Sequence, residues 1–294
     1  MHTTANAADA ALDQATEAIL NALALNGPAR AVQAVQTRHR LNLVRAWGLA
    51  AGERVLELGC GQGDTTAALA WAVGPRGQVL AVDPAPPDFG APTTLGDATA
   101  ALTTALATAD WSAPVKVVLG EDGLLDPQRF APQSFDQLVL SHCAWYFASQ
   151  AQWTAQLRVA RTWARRLCLA EWDLQASAPN QWAHALAVLL QAQQEAGRPQ
   201  GKANVRTLMT ADDLLASVRT AGWQRMAVQR VPSAHLQDGQ WEVALAADPD
   251  AQARDADLPE NQRQLLASQR GLMQAHAQAH GTASLDTLVI TAVC

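Results

Sequence analysis

The stretch from Arg54 to Asp83 constrains the fold of this chain more than any other. It reads RVLELGCGQGDTTAALAWAVGPRGQVLAVD, in which two short apolar runs flank a glycine-rich turn and an alanine-rich segment. The runs 55–58 and 79–82 have the length and apolar character of buried parallel strands, and Gly74-Pro75 ends the segment between them. A strand, a turn, a helix and a second strand in about thirty residues are typical of a parallel α/β unit.

The turn and the end of the second run carry residue types that suit a nucleoside. Gly59, Gly61 and Gly63 alternate across the turn, and glycine lets the backbone approach a ligand closely. Asp83 follows the second run, where a carboxylate can accept hydrogen bonds from both ribose hydroxyls. A dinucleotide site has the spacing G-x-G-x-x-G, but here Asp64 replaces the third glycine. Because this carboxylate would repel a pyrophosphate, the pattern speaks against a nicotinamide oxidoreductase and tolerates a cofactor with an amine and a sulfonium.

With these features the chain resembles the class I S-adenosylmethionine (SAM)-dependent methyltransferases. The motif ELGCGQG at 57–63 and the acid at 83 carry the resemblance, which covers roughly residues 50–175 and, loosely, the last strands. It implies a Rossmann-like fold, SAM as cofactor and methyl transfer by in-line displacement. Ligands of open α/β sheets bind outside the carboxyl ends of the strands. The resemblance and this rule together imply the following cofactor-binding residues: Glu57, Gly59, Cys60, Gly61, Gly63, Asp83, Pro84, Asp122, Gly123, Ser141 and His142.

Strands and helices alternate along the rest of the chain. Further strands are predicted at 115–119, 135–141, 166–172, 223–231 and 285–293, and helices at 8–25, up to 47, 150–164, 181–196, 210–221, 235–247 and 258–280. This alternation predicts the α/β class with a doubly wound, mostly parallel seven-stranded sheet. The resemblance adds that the last strand is an antiparallel edge strand.

The domain prediction follows from where the alternation is interrupted. Residues 1–49 form an N-terminal helical cap, and residues 50–294 form the SAM-binding domain with helical insertions at about 175–209 and 232–282. The insertions fall in connections, which is where folds of this type vary. They either select the substrate or build a homodimer contact, and the two roles are compatible.

The fourth predicted strand ends in Ser-His-Cys-Ala-Trp-Tyr-Phe, which is the most unusual stretch after the glycine turn. His142 can bind the cofactor or take a proton from the methyl acceptor, because histidine titrates near neutral pH. Trp145 and Tyr146 can stack on a flat substrate or face the sulfonium. We therefore predict His142 and Tyr146 as catalytic residues, and His39, Trp145 and Tyr146 as substrate-pocket residues. The alternative is a histidine over an aromatic core patch, and His39 is equally compatible with a core position.

Two acids follow the third predicted strand, and the resemblance implies that one of them accepts the adenine amine. Asp122 is preferred over Glu121, with solvated turn residues as the alternative. Metal ligands are not predicted. His276 and His280 have an i, i+4 spacing but no third ligand. The fourth strand ends in Ser141 rather than in an acid.

The amino-acid composition limits the kinds of partner and the cellular compartment that we expect for this chain. The net charge of −6 and a charged fraction of 16% argue against nucleic acid, which demands a basic surface. Four widely spaced cysteines indicate buried thiols in a reducing compartment. The N-terminal residues lack a signal-peptide pattern, and no apolar run reaches the ~20 residues of a membrane span. We expect a cytoplasmic enzyme.

The acceptor is predicted to be a small molecule, aromatic or heterocyclic, methylated on N, O or C. The Asn-Pro-Pro-Tyr signature of many DNA and protein amine methyltransferases is absent after the fourth strand. The alternative is a protein of the same fold that catalyses non-methylating chemistry, as a cyclase or isomerase of natural-product biosynthesis.

Overall fold

Seven strands form one sheet in the part of the chain that the computed structural model describes, residues 2–196 and 204–294. The strands are β1 (Arg54–Leu58), β2 (Gln78–Asp83), β3 (Val115–Leu119), β4 (Phe135–Ser141), β5 (Ala164–Trp172), β6 (Gln224–Val231) and β7 (Thr287–Val293). The helices are α1 (His2–Ala22), α2 (Gly27–Trp47), α3 (Asp64–Val73), α4 (Leu95–Ala107), α5 (Gln150–Trp163), α6 (Trp182–Ala196), α7 (Ala211–Thr220), α8 (Asp238–Ala247), α9 (Pro249–Ala253) and α10 (Glu260–His280).

The strand order is β3-β2-β1-β4-β5-β7-β6. Strands β1 to β5 are parallel, and the order reverses between β1 and β4. In open α/β sheets a ligand crevice forms at such a reversal, outside the carboxyl ends of the strands. The predicted doubly wound, mostly parallel seven-stranded sheet is confirmed.

The predicted position of the last strand is wrong. Strand β7 is antiparallel, as expected, but it lies between β5 and β6 and pairs with both, so that β6 is the edge. The sequences give the reason. Strand β7 reads TLVITAV and is mostly buried, as suits a strand with neighbours on both sides, whereas β6 reads QRMAVQRV and is largely exposed. Charged and polar side chains are the usual protection of an edge strand.

Two apolar layers cover the sheet. Val55 packs with α1 to α4 on one face, and Leu56, the next residue of β1, packs with α5 and α7 on the other. This alternation is what a strand buried on both faces requires. A third, smaller cluster joins α6, α8 and α10, the helices of the two predicted insertions. Residues 197–203 of the first insertion lie outside the described residues.

Helix α2 is placed over the crevice by contacts at both ends. Near its start, Gln33 Nε2 donates a hydrogen bond to Asp64 Oδ1 at the beginning of α3, at 2.7 Å. At its end, the buried Trp47 donates from Nε1 to the carbonyl of Leu169 in β5, at 3.1 Å. Gly48 then ends the helix in the left-handed conformation, φ 70°. Residues in the middle of α2 therefore face the carboxyl ends of the central strands.

Candidate functional site: a crevice at the carboxyl ends of the central strands

The glycine turn after β1 has two closely packed glycines and one open glycine. All three have positive φ, at 75° for Gly59, 53° for Gly61 and 94° for Gly63. A Cβ on Gly59 would lie 2.9 Å from Cys143 Cβ, and one on Gly63 would overlap with the end of the Leu102 side chain. A Cβ on Gly61 would meet nothing within 4 Å. Packing thus excludes a side chain at Gly59, the φ of 94° disfavours one at Gly63, and Gly61 leaves bare backbone beside open space.

Asp83 connects β2 to this turn. It is 9% exposed, and its carboxylate accepts hydrogen bonds from the backbone N–H of Gly61 and of Ala85, each at 2.9 Å. A carboxylate has about four lone-pair positions, so two remain for the hydroxyls of a ribose. The arrangement fits a bound adenosyl group, because the same carboxylate shapes the turn and keeps acceptor capacity toward the crevice.

Glu57, the penultimate residue of β1, is a buried acid on the same side. It is 1% exposed and accepts a hydrogen bond from Thr66 Oγ1 at 2.6 Å. Burial, helped by the negative charges of Asp83 and Asp64, raises the pKa of the Glu57 carboxyl to about 8, against the opposing effects of Thr66 and Arg40. Such a carboxyl is mostly neutral at pH 7, and a nearby ammonium group would favour its ionised form.

The two acids after β3 have different roles in the structure. Glu121 accepts from Arg129 Nε at 2.9 Å and from the backbone N–H of Gly123 at 2.8 Å, and these hydrogen bonds lower its pKa. Asp122 lies exposed beside it. Glu121 is therefore committed to Arg129, which favours Asp122 as the acid that is available to a ligand. Pro84, after β2, is also exposed.

The second half of the crevice begins at the end of β4. His142 has a φ of 51°, in the left-handed region that residues other than glycine rarely adopt, and such strain clusters at functional sites. Its backbone N–H donates to the carbonyl of Ala170 at 2.8 Å, which ties it to β5. Next to it, Ser141 Oγ is buried without a hydrogen-bond partner among the described residues. A buried hydroxyl of this kind fits a site that a ligand completes.

Glu171 in β5 is a buried acid beside His142, and the sequence does not indicate it as a site residue. It is 1% exposed and accepts from the backbone N–H of Ala144 at 2.9 Å and of Trp172 at 3.0 Å. Its Oε1 lies 3.6 Å from His142 Nδ1, and the Trp172 and His142 rings are 4.4 Å apart. The available signal was the position of Glu171 at the end of a central strand, next to β4.

Two further histidines flank this pair. The ring of His39, from α2, lies 6.2 Å from that of His142, and the ring of His184, from α6, lies 5.2 Å from that of Trp172. Both histidines are completely buried. Burial, reinforced by Arg40, lowers the pKa of His39 to about 2, and burial lowers that of His184 to about 4. The structure brings the predicted His39 next to His142, and adds His184, for which the sequence carried no signal beyond its place in an insertion.

The two aromatic residues after His142 lie in different environments. Trp145 is 4% exposed, packs in the core and donates from Nε1 to the carbonyl of Met209 at 3.0 Å. Tyr146 is 45% exposed. A buried indole with a satisfied N–H supports the wall of the site, whereas Tyr146 is accessible to a substrate.

Asp173, the acid that follows β5, and His276, which has the i, i+4 spacing to His280, have other partners. Asp173 pairs with Arg230, and His276 Nε2 lies 2.7 Å from the carbonyl oxygen of Pro179. Within residues 2–196 and 204–294, no group of three His, Cys, Asp or Glu side chains could hold a metal ion. The helices in these ranges also include none that is long and apolar enough to span a bilayer.

The sequence is similar to known methyltransferases in the region that forms the crevice. The sequence model of the protein-L-isoaspartate(D-aspartate) O-methyltransferase family matches residues 23–144, which include the glycine turn, Asp83 and His142. The curated methyltransferase phomM′ of Diaporthe leptostromiformis is 29% identical over 270 residues, covering 76% of this chain and 67% of that protein.

Two solved structures are informative. A cyclopropane-fatty-acyl-phospholipid synthase-like protein from Lactobacillus casei is 33% identical, with a TM-score of 0.80 over 96% of this chain and 100% of that one. Phosphoethanolamine N-methyltransferase 2 of Haemonchus contortus, solved with SAM, has a TM-score of 0.50 at 14% identity, over 87% of this chain and 52% of that one. The second likeness concerns the fold alone.

Proposed function

The chain belongs to the class I SAM-dependent methyltransferase superfamily, and from that premise we propose that it methylates a small aromatic or heterocyclic acceptor. The single observation that carries the proposal is the strained His142, held between Glu171 and Trp172 at the carboxyl ends of β4 and β5. It stands beside the cofactor half of the crevice, where the acceptor of a methyl group has to lie.

The cofactor half would hold SAM through groups whose contacts are described above. Asp83 would accept hydrogen bonds from the ribose hydroxyls, and Asp122 would accept one from the adenine amine. The backbone of Gly61 would line the site of the amino acid part of SAM. Glu57 offers a carboxylate to the ammonium group, and Ser141 an unpaired hydroxyl. When bound, SAM supplies a methyl group on a positively charged sulfur, which leaves as S-adenosylhomocysteine with the electrons of the broken carbon–sulfur bond.

The acceptor half would align the nucleophilic atom and, for a hydroxyl acceptor, remove its proton. His142 is the proposed base, and Glu171 acts on it as a positioning residue from 3.6 Å. An unprotonated amine or aromatic nitrogen needs no base, so that alignment and exclusion of water suffice for it. Trp172 and the exposed ring of Tyr146 would stack on a flat acceptor.

Charge supports a small acceptor rather than a polymer. The chain has a net charge of −6, whereas a nucleic acid requires a basic face. The proposed pocket is built from acids, aromatic rings and buried histidines. A flat, uncharged or weakly basic molecule suits these groups better than a polyanion does.

Domain roles and location are part of the same proposal. Residues 1–49 would act as the helical cap of the SAM-binding domain, 50–294, and the insertions at 175–209 and 232–282 would select the acceptor. A homodimer contact through these insertions stays a prediction. All four cysteines are free thiols, which supports the cytoplasm as the compartment.

The test is incubation of the purified protein with methyl-labelled SAM and a fractionated metabolite extract. We expect label in a small molecule and an equal amount of S-adenosylhomocysteine. Label only in RNA or protein would refute the acceptor class. Turnover of an extract component without S-adenosylhomocysteine would instead indicate cyclase or isomerase chemistry. With the identified acceptor, Glu171→Gln should lower kcat and shift its pH profile, and His280→Asn, at an exposed helix end, serves as the control.

A further inference from the structure

The tautomer of His184 is fixed by the backbone. The N–H of Leu285 donates a hydrogen bond to His184 Nδ1 at 3.0 Å, so Nδ1 carries a lone pair. Burial, with an additional contribution from His142 and against that of Asp238, lowers the pKa of the ring to about 4, so the ring is neutral at pH 7. A neutral imidazole with an accepting Nδ1 carries its proton on Nε2. His184 therefore presents a hydrogen-bond donor.

The Nε2–H donor of His184 has no partner among the described residues, although the ring is completely buried. Leaving a buried donor unpaired is energetically unfavourable, and such groups call for an explanation. The ring packs edge-on against Trp172, whose other neighbour is His142. The ring that carries the unpaired donor thus packs against Trp172, a residue that also contacts His142.

The second buried histidine, His39, presents a hydrogen-bond acceptor instead of a donor. Ser233 Oγ donates to the carbonyl of Val231 at 2.9 Å, so it must accept from Thr287 Oγ1, which lies 2.8 Å away. The hydroxyl hydrogen of Thr287 is then used, and its oxygen accepts from His39 Nε2 at 3.3 Å. His39 Nδ1 is therefore a lone pair, and it has no partner among the described residues.

We propose that His184 and His39 select the methyl acceptor by its hydrogen-bonding groups. His184 Nε2 donates a hydrogen bond to the acceptor, and His39 Nδ1 accepts one from it. The acceptor is then a neutral heterocycle or cyclic amide with both an accepting and a donating atom, and carboxylates and phosphates are disfavoured. Neither atom is accessible to water in the free protein. This inference rests on the proposed function and specifies its substrate class.

Two variants of His184 separate a binding role from a structural one. In His184→Asn the amide oxygen can still accept from Leu285, but the donor at Nε2 is lost. In His184→Gln the amide nitrogen can reach the position of Nε2, but the acceptor for Leu285 is lost. We expect Asn to preserve thermal stability and to weaken substrate binding, and Gln to lower stability and to keep binding. His280→Asn is the matched control.

The probes are 2-quinolone, a cyclic amide, and 2-naphthoate, a carboxylate of similar size, titrated into the protein saturated with S-adenosylhomocysteine. We expect 2-quinolone to bind the wild type more tightly than 2-naphthoate, and His184→Asn to weaken its binding about tenfold, the effect of one lost hydrogen bond at a buried site. Two-bond proton–nitrogen spectra of histidine-labelled protein should show the Nε2–H tautomer of His184.

The outcomes distinguish this inference from the function on which it rests. Selection of the acceptor by His184 and His39 is refuted if 2-naphthoate binds as tightly as 2-quinolone. It is also refuted if the Asn and Gln variants lose the same affinity for 2-quinolone. In both cases the proposed methyltransferase function is unaffected. If S-adenosylhomocysteine binds but 2-quinolone does not, the substrate class is refuted. If S-adenosylhomocysteine itself does not bind, the proposed function fails.

Discussion

The buried carboxyl of Glu57 should make the stability of the free protein depend on pH in an unusual direction. Its pKa is about 8 in the folded protein, against an ordinary value of 4.5 in the unfolded chain. Below pH 4.5 both states are protonated. Between 4.5 and 8 the unfolded chain releases the proton that the folded protein keeps, so the contribution of Glu57 to the free energy of unfolding falls as pH rises. Above pH 8 both states are ionised and the loss is complete.

The magnitude follows from the two pKa values. Each pKa unit corresponds to about 1.4 kcal/mol, so the complete loss is on the order of 5 kcal/mol, most of it between pH 5 and pH 8. Glu57→Gln removes this titration and keeps an oxygen that can accept from Thr66. We expect the melting temperature of the variant, relative to wild type, to rise by roughly 10 °C between pH 5 and pH 8.

The assay is thermal unfolding without ligand, followed by circular dichroism at pH 5, 6, 7 and 8. Glu17→Gln is the control, because Glu17 is exposed and its ion pair with Arg30 contributes little to stability. If wild type and Glu57→Gln change in parallel over this range, the carboxyl is not held neutral by burial and the reasoning is refuted.

Three further predictions concern the cofactor half. Asp83→Ala should weaken SAM binding by about 1–3 kcal/mol in calorimetry through lost hydrogen bonds to the ribose, and unchanged affinity would remove Asp83 from the site. Gly61→Ala should fold but bind SAM poorly. Gly59→Ala should lower the melting temperature, because its Cβ would lie 2.9 Å from that of Cys143. A larger loss of stability in Gly61→Ala than in Gly59→Ala would contradict the description of the turn. SAM binding at pH 7 should release a proton as Glu57 ionises, measurable by calorimetry in buffers of different ionisation enthalpy, and no buffer dependence would argue against a contact with the ammonium group.

The backbone of the proposed cofactor half was largely predictable because local sequence determines it. The run 54–83 contains the strand, the turn, the helix start and the acid, so their relative positions depend on a few dihedral angles that glycine permits. Strands β3 and β4 have the predicted bounds, and Thr210 forms the predicted cap with Asp213. Periodicity and capping are properties of neighbouring residues, and a sequence displays them directly.

The acceptor half was only partly predictable because it is assembled from distant segments. His39, His142, Glu171 and His184 come from four elements, and their meeting depends on the order of the strands and the path of an insertion. Glu171 reads as an ordinary strand residue, since nothing local shows that its carboxylate lies beside a histidine 29 positions earlier in the sequence. The tautomers of His184 and His39 depend on hydrogen bonds with Leu285 and Thr287. No sequence motif links these residues to the two histidines.

The place of β7 between β5 and β6 has a consequence for how the molecule assembles. The first four strands pair among themselves, so the side of the crevice around the glycine turn can form as soon as β4 has been synthesised. The other side depends on segment 285–293, which joins β6 to the sheet and fixes the two buried histidine rings. During translation we expect a nascent chain that acquires affinity for SAM well before it acquires any selectivity for what it methylates.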